Sequence, residues 1–378
     1  MERNKKIIIG AGVALGVIAL GAGAYFAWRN RAVVVNIISN VGNEGAIQPL
    51  QPTPERLREI SSREVAGYWT VATTSTSTPL VLYADPEGNI LRIDDAGDEL
   101  VYAQSIANVA AVLPSANGSR ALVEAKGVRG DSFHLFDATE GLPGVTMRGV
   151  SGVTWAPEGN DAAYFISAGG VTRLRTQASD LIGQSDSVAF SEITRVPQND
   201  FTLSWPQKDA LYMTQRPSAE YVSDMWRVDV KTKSIKKFLS DRGLMVRWAP
   251  FGTRALKFTT TEARAHKLAL IDDKGAEQAT VNFITLPDKC VMTGPTQMYC
   301  AIPRDQGALA KMTLPDDYLK RKVYFKDGIY QIDITNNGIR AIYEEDAPDI
   351  DAIDLTVLND KILFINRYDR KLYSLKLQ

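Results

Sequence analysis

The 378-residue sequence predicts an all-β fold, a seven-bladed β-propeller preceded by one N-terminal transmembrane helix. Three observations carry the prediction. A turn motif recurs, as WAPEGNDAAYF from Trp155 to Phe165, as WAPFGTRALKF from Trp248 to Phe258, and in degenerate form as WPQKDALYM from Trp205. The motif starts at Leu113, Trp155, Trp205, Trp248 and Met292 follow one another at steps of 42, 50, 43 and 44 residues, the period of four-stranded propeller blades. The 22 residues from Ile7 to Trp28 carry no charge.

That apolar run is the first element. At about 1.5 Å per residue it is long enough to cross a hydrocarbon core of roughly 30 Å. Arg3, Lys5 and Lys6 precede it; Tyr25, Phe26 and Trp28 mark the far interface, closed by Arg29 and Arg31. The heavier basic flank places residues 1–6 in the cytoplasm, 7–28 in the cell membrane and everything after them outside the cytoplasm. Ala22-Gly23-Ala24 offers the alternative, a signal-peptidase site and a secreted product. Both readings export the body. Residues 29–64 read as a tether, since Gly and Pro interrupt Asn40 to Pro54, and PERLREISSRE from Pro54 reads as a short helix with Pro at an early position.

Residues 65–378 form the propeller in this reading. Each motif copy is an aromatic strand end, a tight turn and a new apolar strand: Pro157 and Pro250 pre-set φ, and Gly159 and Gly252 supply the permissive turn exit. An apolar-Asp pair falls 23 residues after the motif start three times, at Phe136-Asp137, Val228-Asp229 and Ile271-Asp272. Blades are expected at about 65–104, 105–149, 150–194, 195–240, 241–285, 286–347 and 348–378, with six or eight blades as the alternatives. The last unit is one strand short, which predicts closure by an N-terminal strand, Val65 to Val71. Blade six carries an insertion between Pro303 and Asp327, expected to project as a loop.

The WAPEG and WAPFG turns and the VDV or IDD strand ends resemble TolB-type and WD-type propeller repeats, in which a Trp-Ser-Pro-Asp-Gly turn precedes a short strand. Ala156 and Ala249 replace the Ser, Glu158 and Phe251 replace the Asp, and two blades lack the Trp. KCVMTGPTQMYCAIP and LPDDYLKRKVYFKDGIYQID are also similar to segments of membrane-anchored propeller proteins of candidate-phylum bacteria. The resemblance implies a fold and an address, and no activity.

Cys290 and Cys300 flank a turn centred on Gly294-Pro295, so they face each other across a two-stranded ladder. A cross-strand disulfide is the expectation, with a pair of buried reduced thiols as the alternative. A bond there fits an oxidising compartment. Two Cys and two distant His give no zinc cluster.

Catalytic motifs are missing. His134 and His266 both stand in strand-like contexts, GQSDS from Gly183 lacks the final Gly of a nucleophile elbow, and no P-loop or dinucleotide fingerprint occurs. No catalytic residue, cofactor or metal ligand is assigned. A net charge of −1 argues against a nucleic-acid surface, and the basic runs Lys231–Lys237 and Lys320–Lys326 read as solvated strands or loops. Glu344, Glu345, Asp346, Asp349, Asp351 and Asp354 read as an acidic connector between blades. The functional expectation is a protein-binding or scaffold module of the cell envelope, held by its membrane helix and partnered by another envelope protein. The alternative is a propeller hydrolase acting on a glycan, lactone or phosphoester through carboxylates at the channel mouth.

Overall fold

Short apolar strands separated by Gly and Asp turns leave this chain one economical way to bury its side chains, which is to stack small sheets face to face. The computed structural model describes residues 56–377 except 72–78, 95–96, 104–105, 129, 139–141, 160, 179–189, 198–199 and 337. The chain divides into two units, residues 1–53 and 54–378, and all described residues belong to the second. The expected cytoplasmic segment and transmembrane run, residues 1–6 and 7–28, lie outside the described residues. Among the described residues no helix is long and apolar enough to cross a membrane.

Seven four-stranded antiparallel sheets follow one another, at residues 67–102, 109–148, 150–196, 202–242, 245–280, 290–343 and 352–376, the last completed by a strand from the N-terminal side. The innermost strands of neighbouring blades pack together, so the sheets fan around a common axis. Second strands are buried on both faces: Ala210, Leu211, Tyr212 and Met213 are all inaccessible, as are Ile362 to Ile365. Sheets covered on both sides need continuous apolar runs, which is why these strands read ALYMT and KILFIN. Outermost strands meet water and read EQAT or IKKFLSDR. The core lies between sheets; Phe165 and Leu174 of blade three, for example, pack against Trp205, Leu211 and Val228 of blade four.

The repeated residues join blade to blade. Trp155 ends the innermost strand of blade three, and its indole donates to the Leu113 carbonyl of blade two at 2.8 Å. Gly252 has φ +71°, and a Cβ there would stand 2.1 Å from the Pro206 carbonyl oxygen of blade four. The turn glycine is therefore required twice, for its backbone conformation and for close approach to the neighbouring blade. The apolar-Asp pairs end third strands, and the carboxylate accepts from amides of the next turn: Asp229 from Thr232 at 2.7 Å, Asp272 from Lys274 and Ala276 at 2.9 Å. Those amides hold both carboxyls below the usual carboxylate range.

Three expectations are corrected. Closure is not made by Val65 to Val71, because Gly67–Val71 is the innermost strand of blade one, paired with Leu80–Ala84. The closing strand is Leu57–Glu59, in register with Tyr373 to Leu375, so the segment expected to be a short helix is extended. Three residues of helix propensity are a weak preference, outweighed by pairing an otherwise open edge. Lastly, the blade-six insertion does not project. It forms two helical turns, Gln306–Leu309 and Asp316–Leu319, and buries Leu309, Leu314, Tyr318 and Phe325 to 5% exposure or less.

Cys290 and Cys300 are directly opposed in the innermost pair of blade six, and their sulfurs form a disulfide 2.04 Å long.

Candidate functional site on the upper face

In an antiparallel blade, the connections between second and third strands and those between blades emerge at one end of the sheet, while the motif turns emerge at the other. The blade-six insertion joins second to third strand, so it lies on the first of these ends, here called the upper face. It runs across several blades as a strap. Asp316 accepts from the Ala219 amide of blade four at 2.7 Å; the Leu309 carbonyl contacts Nε2 of His266 in blade five at 3.1 Å; the Tyr318 carbonyl accepts from Arg367 of blade seven at 3.1 Å. Burial works against the Asp316 charge, but the Ala219 amide and Lys320 hold its carboxyl below the ordinary range.

Beneath the strap is a buried ionic cluster. Lys289, Asp327 and Asp351 are fully inaccessible. The Lys289 ammonium contacts Asp327 at 2.7 Å, and it also contacts Asp351, the Ala352 carbonyl and the Tyr318 hydroxyl. Arg367 completes the arrangement, 2.8 Å from Asp351 and stacked 3.7 Å from the Tyr318 ring centroid. Burial alone would discharge Lys289, but Asp327, Tyr318 and Asp351 reverse this and push its pKa above the usual lysine range. Burial raises the Asp327 carboxyl against the pull of Lys289, and Asp327 Oδ1 has no hydrogen-bond partner. With two cations facing two carboxylates, the ammonium stays charged.

Inside the ring a cavity of about 400 Å³ is lined by the innermost strands of blades one, two, five and seven and by the strap. Arg247, Arg321, Arg367 and Arg370 reach it, with Tyr68, Tyr324 and a single carboxylate, Asp354. Asp354 occupies a bulge between Ile353 and Thr356 at φ +55°, a strained conformation for a residue with a Cβ. Its backbone carbonyl accepts from the Tyr68 hydroxyl, which also donates to Leu363 O at 2.9 Å. The side chain is open to the cavity yet ringed by protein. Desolvation therefore raises its carboxyl pKa, with Arg247 opposing.

The acidic run expected to be a solvated connector is split by the fold. Glu344 and Asp346 are exposed, Asp349 pairs with Lys326 at 2.9 Å, Asp351 is buried in the ionic cluster and Asp354 enters the cavity. Alternating charge and apolar residues in DAPDIDAIDL carried the signal for that split. The carboxylate pair needed at a glycosidase-like channel mouth is not formed by the described lining residues, and no group of three or more His, Cys, Asp or Glu among the described residues is placed to hold a metal ion. His134 lies in a strand, between Ser132 and Thr146 hydroxyls at 3.0 Å. The sequence reading missed the four arginines, which are scattered over more than a hundred residues and share no local spacing.

No protein-family model and no curated protein matches the chain. Among solved structures it is similar to the β-propeller domain of Myceliophteria thermophila Cps50 (Swd1), at 10% identity and TM-score 0.53, covering 85% of this chain and 100% of that one. It is similar to an oligogalacturonate lyase in complex with manganese, at 10% identity and TM-score 0.55, covering 82% and 96%. A chain of a mitotic checkpoint complex matches at 13% identity and TM-score 0.54, covering 86% and 94%. Likeness at these identities is of fold. The chain is a seven-bladed β-propeller.

Proposed function

We propose that the protein is a membrane-anchored, extracytoplasmic β-propeller that acts as a protein-binding scaffold of the cell envelope, with the upper face as its docking surface. One observation carries the choice of face. Of the ten exposed large hydrophobic side chains among the described residues, five belong to connections on that face, Val128, Tyr221, Leu319, Tyr324 and Tyr368, and a sixth, Val222, begins the third strand of blade four there. Tyr324 and Tyr368 lie against each other at 5.4 Å between centroids with their planes tilted by 30°, and both residues are about two-fifths exposed. Aromatic side chains carried on a rigid scaffold are the usual anchors of protein interfaces. The apolar run Ile7 to Trp28 supports the anchor, and the Cys290–Cys300 bond supports an oxidising compartment.

Membrane attachment and address are tested together on cells expressing the full chain. The protein is expected to resist carbonate extraction and to be digested by protease added outside the cytoplasmic membrane. Release by carbonate, or protection until that membrane is lysed, would overturn the proposal.

A further inference from the structure

The inside of the ring holds a feature that protein docking does not use, the arginine-lined cavity. We infer that it is a binding site for a small polar molecule carrying a single oxyanion group, a carboxylate or a phosphate ester, held by Arg247 and Arg321.

Charge accounting leads to these two arginines. Arg367 is matched by Asp351 at 2.8 Å, and Arg370 faces Glu64 at 3.4 Å. Neither Arg247 nor Arg321 has a carboxylate within 4.0 Å among the described residues. One Arg247 guanidinium nitrogen donates to the Asp288 carbonyl at 2.8 Å, which orients the group without cancelling its charge. Asp354 offsets one of the two cations at longer range. One positive charge is left over in a concave, partly sheltered space, where attraction to an anion is stronger than in open water. A singly charged group neutralises it.

Size and geometry agree. A cavity of about 400 Å³ falls in the range of small-molecule sites, and guanidinium groups present paired donors matched to planar or tetrahedral oxyanions. The arginines come from separate parts of the fold: Arg247 from the innermost strand of blade five, Arg321 from the strap just after Asp316–Leu319. Arg321 is held there at φ +55°, its backbone N–H donating a hydrogen bond to the Tyr318 carbonyl at 3.0 Å. Tyr324, beside Arg367 at 4.8 Å, contributes an aromatic wall toward the mouth. Nothing in the ionic cluster accounts for Arg321, which is exposed and leaves the strap's apolar contacts untouched.

The test is calorimetric titration of the full-length chain in detergent with sodium acetate and, separately, with inorganic phosphate, at constant ionic strength. Either anion is expected to bind saturably with one site per chain, and which of them binds tighter assigns the ligand to the carboxylate or the phosphate class. Arg321→Gln is expected to weaken binding at least tenfold, and Arg247→Gln likewise. Lys361→Gln, at an exposed outer position, is expected to bind as the parent does. Absence of saturable binding by both anions, or binding unchanged in Arg321→Gln, would overturn the inference. Because Arg247 also braces the Asp288 loop, melting temperature is read beside each titration, and Arg321→Gln, with no structural contact at its guanidinium, decides the matter. Either outcome leaves the docking proposal standing, since that is read from partner capture at the outer surface.

Discussion

Lys289 is the residue whose removal the fold tolerates least. Replacing it with Met leaves Asp327 and Asp351 buried without the ammonium that both contact. The expected loss is about 3–5 kcal/mol in chemical denaturation; a loss under about 1 kcal/mol would show that the cluster does not carry the strap. His266 tests the same region by pH. Its Nε2–H donates to the Leu309 carbonyl at 3.1 Å, and its Nδ1 lies 3.1 Å from the Thr260 hydroxyl. Burial lowers its pKa from 6.5. A group with a depressed folded pKa contributes stability that is present above its unfolded value and lost as pH falls through the folded one. Unfolding free energy is therefore expected to decline as pH falls below the unfolded value of 6.5, and His266→Gln to flatten that slope. His134, lowered by burial and by Arg148, adds to the decline. An identical slope in the variant would contradict the assignment.

At the scale of elements, the motif turn is the device that repeats. Gly252→Ala puts a Cβ against the Pro206 carbonyl at φ +71°, and a loss of more than about 1 kcal/mol is expected. Gly294→Ala is the control, because the nearest atom to a Cβ there is Gln297 Cβ at 3.8 Å; it is expected to change stability by less than about 0.5 kcal/mol. Equal effects would remove the argument from close blade approach. These turns were legible in the sequence because Trp, Pro and Gly act through local geometry, and the facing cysteines were legible for the same reason. The closing strand was not. Leu57–Glu59 is fixed by partners more than three hundred residues away, and LRE by itself carries no strand signal. The strap was visible as extra length, but its inward packing depends on Leu309, Leu314, Tyr318 and Phe325 finding surfaces of other blades.

For the whole molecule, the ring of blades leaves only short edges at its rim, and its two ends differ in kind. The described lower end carries the repeated motif turns. The upper end carries the strap, the buried ions that root it, the mouth of the cavity and most of the exposed aromatic side chains. Four arginines and one carboxylate converge on the cavity from four segments of chain, an arrangement no linear motif records. The assignment of docking to the upper end is tested most directly by photocrosslinking in native membranes. A photoreactive amino acid is placed at Tyr368 on the upper face in one strain and at Phe251, in a lower motif turn, in another; both side chains are about two-fifths exposed. The account predicts a discrete crosslinked protein partner from position 368 and none from position 251. Crosslinking from 251 alone, or from neither position, would contradict it.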